Sequence, residues 1–290
     1  MKLSRLYSQV VRLGKACDPR GKAKVSHYED TAILYGNTNA DIKKIMVGID
    51  IEVGELMLAD SIRKSQGLDL VISHHPEGRA WARFYEVMQL QVDMLTKVGL
   101  EREVAQQLID ERMQEVARRV MPNNHMRSQD AARLLNMPFM CVHTPADNHA
   151  YNFIQCLMDK EKPDRLQDIL EILKSIPEYK EADKNLAGPQ IILGNPRRAA
   201  GKISVEMTGG TEGPRDVFDK IYKHGIRTLV CMHLSEEHFK KVKDANLNVV
   251  IAGHISSDTL GFNLLLDKIE KEEKFETISC SGFRRIRHHS

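Results

Sequence analysis

The chain has 290 residues, of which 42% are hydrophobic and 28% are charged, as in soluble globular proteins. This length allows one large domain or two ordinary ones. Its 42 Lys and Arg residues against 40 Asp and Glu residues give a net charge of +2, which provides no strong field for nucleic acid. We therefore expect no nucleic-acid partner.

Two further features of the sequence bear on location. No apolar run approaches the roughly 20 residues that span a bilayer, so we expect no membrane association. The five cysteines are scattered, odd in number and without a Cys-x-x-Cys pair, which argues against a disulfide framework and favours a reducing compartment. These features predict a cytoplasmic protein.

The first part of the chain alternates helix and strand patterns. Apolar residues at helical spacing predict a helix over 3–16. The apolar runs 45–50 and 68–73 are typical of buried strands, and 55–64 is typical of a helix between them. Strand, helix and strand in this order predict a parallel crossover unit.

A helix-rich stretch follows. Residues 80–120 have apolar residues three and four apart and almost no helix breakers, which predicts a helix pair. A shorter helix is predicted over 128–135 and a strand over 137–143. We therefore expect a helical insertion at about 80–135.

The rest of the chain alternates again, which gives an α/β fold overall. A polar stretch at 179–194 is a candidate domain junction between an N-terminal lobe, 1–180, and a C-terminal lobe, 181–290. The other predicted elements are a helix over 163–176, strands over 202–207, 228–231 and 249–252, and helices over 214–224, 235–244 and 255–272.

The first candidate site is Ser73-His74-His75-Pro76, directly after a predicted strand. Ligand sites in α/β sheets form beyond the carboxyl ends of strands. Neighbouring side chains in a strand point to opposite faces, so both histidines can serve one site only if the strand has ended, as Pro76 favours. An isolated His-His pair is more often one core and one exposed histidine, so this motif needs support from others.

The second candidate is the segment HTPAD, 143–147, which also follows a predicted strand. Asp147 could be a metal-binding carboxylate, and His143 could be a ligand or a neighbour that orients one. Because Pro and Asp are ordinary turn formers, a plain turn is the alternative interpretation.

The third candidate is the segment GHISSD, 253–258, at the opening of an amphipathic helix. His254 and Asp258 are four residues apart and can project from one helix face, the spacing that helical metal sites use. Alternatively, Asp258 only complements the positive end of the helix dipole.

The three motifs together offer more ligands than one four-coordinate ion needs. Imidazole and carboxylate without thiolate suit Zn, Mn or Fe(II). Two close divalent ions typically activate a water and hold the oxygens of a scissile group. The sequence therefore predicts a dinuclear metal centre, with His143 in reserve. The candidate ligands are His74, His75, Asp147, His254 and Asp258.

One further motif, TGGTEG at 208–213, follows a predicted strand and precedes a helix. Its amides could cradle a phosphate. It lacks the lysine of a P-loop, so a plain glycine turn is the favoured interpretation.

With these residues in hand, the chain resembles the Nif-three-like family, also described as GTP cyclohydrolase I type 2-like proteins. The likeness rests on IKKIMVGID and LDLVISHHP, on HTPAD and on VVIAGHISSD, in this order over most of residues 35–280. It implies two α/β lobes with a dinuclear metal site in the cleft between them, commonly assembled into a toroidal homohexamer. It also implies that His143 lies beside the site and that the ligands are His74, His75, Asp147, His254 and Asp258.

The sequence departs from the family pattern in three places. Asp258 stands where the family usually has a longer glutamate, which leaves open whether it bridges two ions. The helix-rich stretch between HHP and HTPAD is longer than usual and could be a lid or an assembly element. In VCMHLSEEH, only His238 matches the glycine-glutamate pair and histidine that the family tends to have.

Two functions are compatible with these residues. The first is a metal-dependent hydrolase of an unknown small-molecule substrate, in which His143 is catalytic and moves a proton. The alternative is a non-catalytic metal-binding regulatory or metal-delivery protein.

Overall fold

The computed structural model describes residues 1–21 and 25–288. Within them the chain forms two β-sheets covered by helices. The strands are β1 Ala32–Tyr35, β2 Lys44–Gly48, β3 Leu70–Ser73, β4 Phe139–Cys141, β5 Gln190–Leu193, β6 Lys202–Glu206, β7 Ile226–Cys231, β8 Asn248–Ile251 and β9 Glu276–Cys280. The helices are α1 Leu3–Ala16, α2 Val53–Gln66, α3 Gly78–Ala82, α4 Leu90–Val98, α5 Arg102–Val120, α6 Arg127–Leu134, α7 Thr144–Glu161, α8 Leu166–Ser175, α9 Pro177–Lys184, α10 Phe218–Lys223, α11 Glu236–Asp244 and α12 His254–Glu270. Short 3-10 helices lie at Phe84–Gln89 and Arg215–Val217.

The first sheet has the strand order β1-β4-β3-β2-β9. Its strands are parallel except β1, which is antiparallel at one edge. Strand β2 is almost entirely apolar because both faces of the sheet are covered: Ile45 and Val47 belong to the core on one face, and Met46 belongs to the core on the other. In the register of the sheet, Ser73 of β3 lies between Gly48 and Cys141, so the carboxyl ends of β2, β3 and β4 are level.

The second sheet has the strand order β5-β8-β7-β6. Strands β6, β7 and β8 are parallel, and β5 is antiparallel at one edge. Glu206, Cys231 and Ile251 lie side by side at the carboxyl ends of the three parallel strands. The residues that follow these strands, including His233 and His254, therefore emerge at one edge of this sheet.

Helices α7 and α12 pack against each other and join the two sheets. Phe262 of α12 belongs to the core of the first sheet, whereas Leu260 belongs to a core of the second. The helices approach closely at Gly261, where a Cβ atom would collide with the carbonyl oxygen of Ala146. This close approach brings the N-terminal turns of α7 and α12 together.

The structure confirms the predicted α/β fold and the helical insertion between β3 and β4. The stretch predicted as a helix pair is more broken, with α3, a 3-10 helix, α4 and α5, whereas α6 corresponds to the shorter predicted helix. Helix α4 ends at Gly99, whose φ of +118° stops the helix before α5 begins.

Several elements were not predicted. The segment after His143 forms the long helix α7 rather than the alternative plain turn, and Pro145 in its first turn is a signal for a helix start. Strands β1, β5 and β9 and helix α9 were also missed. Because β9 pairs with β2, the last strand belongs to the first sheet. The division at residue 180 stays a prediction, and it does not account for the pairing of β9, from the C-terminal part of the chain, with β2. Within the described residues, no helix combines the length and apolar character needed to cross a membrane.

Candidate metal centre

His74 and His75 follow β3 at the carboxyl edge of the first sheet. Their backbone N–H groups donate to the carbonyls of Gly48 and Ile49, each across 2.9 Å. The ring centroids are 5.4 Å apart and both rings face the same cleft. The ring of His74 is fully buried, and His75 keeps 26% of its side chain exposed.

Each ring has one nitrogen held by the protein. Nδ1 of His74 donates to the carbonyl oxygen of Val142 across 3.1 Å, and Nδ1 of His75 donates to the carboxylate of Asp50 across 2.7 Å. In both rings the Nε2 lone pair is consequently free for a ligand or a proton. Hydrogen bonds of this kind orient metal-binding histidines.

His143 and Asp147 lie one turn apart at the start of α7. Nδ1 of His143 donates to the buried carboxylate of Asp30 across 2.8 Å. Nε2 of His143 therefore faces the cleft, 3.7 Å from Oδ2 of Asp147. Oδ1 of Asp147 lies 3.3 Å from Nε2 of His74.

Asp258 lies at the centre of the arrangement, in the second turn of α12. Its Oδ1 is 3.5 Å from Nε2 of His74, and its Oδ2 is 3.4 Å from Nε2 of His75. Oδ2 also lies 3.6 Å from Nε2 of His254. The two carboxylate oxygens of Asp258 thus face different histidines.

The structure brings the predicted residues together in two overlapping groups. His74 is common to both groups. Within each group the candidate ligand atoms lie within 4.8 Å of one another. The groups are His74, His143 and Asp147, and His74, His75 and Asp258. His254 belongs to neither group, but its ring centroid is 5.0 Å from that of His75, at the more exposed end of the cluster.

The polar atoms at the centre of the cluster fit a divalent cation. Nε2 of His74, Oδ1 of Asp147 and Oδ2 of Asp258 are buried and make no hydrogen bond within the described residues. Buried polar atoms without a partner are costly, about 1–3 kcal/mol each. The nitrogen–oxygen spacings of 3.3–3.6 Å exceed ordinary hydrogen bonds but match two ligands about 2.0–2.1 Å from one tetrahedral zinc-sized ion. These buried His and Asp residues could therefore hold metal ions.

Electrostatics in the cluster agree with this fit. Burial lowers the pKa of His74, but Asp258 and Asp147 raise it more, to about 10. Burial likewise lowers the pKa of His75, while Asp258 and Asp50 raise it to about 9. Burial raises the pKa of Asp258, but His74 and His75 outweigh it and hold that pKa well below its usual value. A positive charge is therefore favourable at this site. Without a metal ion, protonation of His74 and His75 provides that charge.

Known proteins were compared at the level of sequence and of structure. No protein-family model matches the sequence, and no curated protein matches it significantly. Among solved structures, a NIF3 superfamily protein from Sphaerobacter thermophilus matches with a TM-score of 0.79 and 28% identity, covering 95% of this chain and 98% of that chain. This match supports a NIF3-like family for the chain.

Two further structures share the fold of this NIF3-like chain. Reduced HcgD from Methanocaldococcus jannaschii has a TM-score of 0.59 and 14% identity, covering 96% of this chain and 97% of its own. A protein from Thermus thermophilus has a TM-score of 0.53 and 12% identity, with coverage of 96% of this chain and 97% of that chain.

Sequence reasoning missed two carboxylates of the NIF3-like site, Asp30 and Asp50. Asp30 reaches His143 from a segment more than a hundred residues upstream, and Asp50 reaches His75 from the loop after β2. No motif marks either residue, and only the pairing of β1 with β4 and of β2 with β3 places them.

His238 and the 208–213 loop lie beside the centre rather than in it. Nδ1 of His238 lies 3.2 Å from the carboxylate of Glu212, and its Nε2 donates to the carbonyl of Gly213 across 2.9 Å. The loop is held by Gln91 of the insertion, whose amide donates to the carbonyls of Gly209 and Thr211, each across 2.7 Å. The insertion of this NIF3-like chain therefore supports a wall of the cleft.

Proposed function

We propose that the chain binds two divalent ions, Zn, Fe or Mn, and is a metal-dependent hydrolase. The observation that carries the proposal is the convergence of His74, Asp147 and Asp258 in the cleft, where each has a buried ligand atom without a hydrogen-bond partner among the described residues. Asp258 contributes one oxygen on each side, which supports its role as a bridge despite its being shorter than glutamate.

We assign the ligands to two sets that share Asp258. His74, which also faces Asp147, lies next to Oδ1 of Asp258, whereas His75 and His254 face Oδ2. Each set supplies three protein ligands, the number typical of catalytic zinc sites, which keep an open position for water or substrate. Structural sites normally close their coordination shell, so the count favours catalysis.

His143 is the proposed proton acceptor. Two bound divalent ions would supply an activated water and polarise the scissile group. Because Asp30 accepts the Nδ1 hydrogen of His143, the Nε2 lone pair is available to take a proton from the attacking water and return it to the leaving group. A phosphoester, an amide or a ring C–N bond is compatible with this arrangement.

The test is turnover by metal-loaded protein across nucleotide, phosphoester and amide substrates. We expect turnover that chelation abolishes and that His143→Ala reduces by about 10²–10⁴-fold, the usual contribution of a general base. His27→Ala, a change at an exposed histidine, is the control and should leave turnover unchanged. Metal-loaded protein without turnover on any substrate would contradict the hydrolase and favour the regulatory or metal-delivery alternative.

A further inference from the structure

A cavity of about 790 Å³ extends from the metal cluster into the second sheet. Its volume lies in the range of small-molecule sites, roughly 300–1,000 Å³. His143, Asp147, His254 and Asp258 open into it at one end. The cavity is also lined by all of residues 201–208 and by one side of α4.

Glu206 is a carboxyl of β6 on this wall, next to apolar side chains of the neighbouring strand. It lies opposite Cys231 in the register of β6 and β7, so the two side chains share one face of the sheet. Cys231 packs on that face in a core with Val217 and Phe218, which also line the cavity. The carboxyl of Glu206 is therefore presented to the cavity from among apolar side chains.

Glu206 makes no hydrogen bond or ion pair with any residue in the described ranges. Its neighbour Glu212 differs: the carboxylate of Glu212 accepts from the backbone N–H of Ser235 across 2.5 Å and contacts His238 and His233. Burial and the charge of Glu212 raise the pKa of Glu206 to about 7. The side chain of Glu206 is half-buried, and a partly desolvated carboxyl without a partner points to a role in binding.

Cavity lysines do not neutralise this carboxyl. The side chains of Lys97, Lys162 and Lys202 are exposed, and none forms an ion pair with Glu206 among the described residues. The amino group of Lys97 donates instead to the carbonyl of Pro19. This part of the cavity therefore presents the carboxyls of Glu206 and Glu212 beside apolar surface, a combination that suits a cation on an apolar body.

We infer that Glu206 is the recognition residue of this cavity and binds a flat ligand that carries an amidine- or guanidine-type group. Two N–H donors of such a group fit one carboxylate in a planar, two-pronged arrangement, and apolar walls increase the strength of this pairing. That such a ligand is the substrate rests on the proposed hydrolase function. That the cavity binds such a ligand does not depend on that function.

The experiment uses calorimetric titration of the purified protein with benzamidine, benzamide and benzoate, three rings that differ in the charge of one substituent. We expect saturable binding of benzamidine, binding of the neutral benzamide at least about tenfold weaker, and no binding of benzoate. Glu206→Gln should weaken benzamidine binding by at least about tenfold. The surface change Glu103→Gln is the matched control and should bind as wild type does.

Absence of benzamidine binding to wild type, or equal binding of benzamidine and benzamide, would overturn the inference. Equal binding of benzamidine to wild type and to folded Glu206→Gln would overturn it as well. The comparison of the three ligands needs no variant, so it decides the matter even if Glu206→Gln fails to fold. Because the readout is binding, it is independent of whether the protein turns over any substrate.

Discussion

The carboxylate of Asp30 holds the ring of His143 by Nδ1, so that Nε2 faces the cluster of candidate metal ligands. Oδ2 of Asp30 accepts from Nδ1 of His143 across 2.8 Å and from the hydroxyl of Thr144 across 2.6 Å. The same oxygen accepts the backbone N–H of Thr144. Since this oxygen meets only donors, it fixes the hydrogen of His143 on Nδ1 and leaves the Nε2 lone pair to face the cleft.

Asp30→Asn tests this relationship. The amide presents either an N–H group to these donors or a single oxygen, so we expect loss of about 1–3 kcal/mol of stability. We also expect the ring of His143 to lose its fixed tautomer. Nitrogen NMR of the imidazole in zinc-loaded protein reports this directly, and an unchanged Nδ1–H tautomer would contradict the assignment.

Asp258 and Asp147 should differ in their effect on metal content. Asp258→Asn removes the negative charge that both sets share and leaves one oxygen in place of two, so we expect metal to be lost from both positions. Asp147→Asn affects only the set containing His74, so one ion should remain. Elemental analysis distinguishes the two, and equal loss in both variants would rule out Asp258 as the bridge.

The close approach of α12 to α7 depends on Gly261. Gly261→Ala places a methyl group against the carbonyl oxygen of Ala146, so we expect about 1–3 kcal/mol lower stability and weaker metal binding. Gly54→Ala is the matched control, because Gly54 also lies in a helix but has open space where an added Cβ atom would lie. The control should be neutral or stabilising by up to about 1 kcal/mol. Urea unfolding measures both, and equal stability of the two variants would contradict the role of Gly261.

Metal binding should strengthen as pH rises. The pKa values of about 10 for His74 and about 9 for His75 lie above the usual value. At neutral pH in metal-free protein, each of these rings is therefore protonated on both nitrogens and positively charged. A metal ion must displace these protons, and a higher pH lowers that cost until about pH 9–10. Competition with a chelator at pH 6.5, 7.5 and 8.5 measures the affinity after correction for the chelator's own protonation. An affinity that is constant or falls over this range would contradict the prediction.

Local sequence patterns predicted much of the fold, because apolar runs and helical spacing are properties of short segments. Strands β2, β3, β6, β7 and β8 and helices α1, α2 and α12 were predicted near their observed positions. Helix α7 was missed because its first turn, HTPAD, is composed of turn-forming residues. Strand β9 was missed because its five residues have mixed polarity and are placed by pairing with β2.

In the candidate site, too, local motifs identified some residues, whereas others are placed only by contacts between distant segments. The segments HHP, HTPAD and GHISSD identified residues that the fold brings together, because each follows a strand whose end faces the cleft. Asp30 and Asp50 could not be identified, since their roles depend on contacts between distant segments. Glu206 could not be identified either, because its place on the cavity wall is set by the pairing of β6 with β7. The homohexamer and the cytoplasmic location stay predictions.

The dinuclear centre is best tested by the metal content of wild-type protein purified without an affinity tag and loaded with Zn, Fe or Mn. We expect two ions per chain after removal of loosely bound metal, with the His27→Ala control unchanged. We expect fewer ions in His75→Ala, which removes a ligand. Wild-type protein that retains no metal, or His75→Ala protein that retains as much as wild type, would contradict the dinuclear centre.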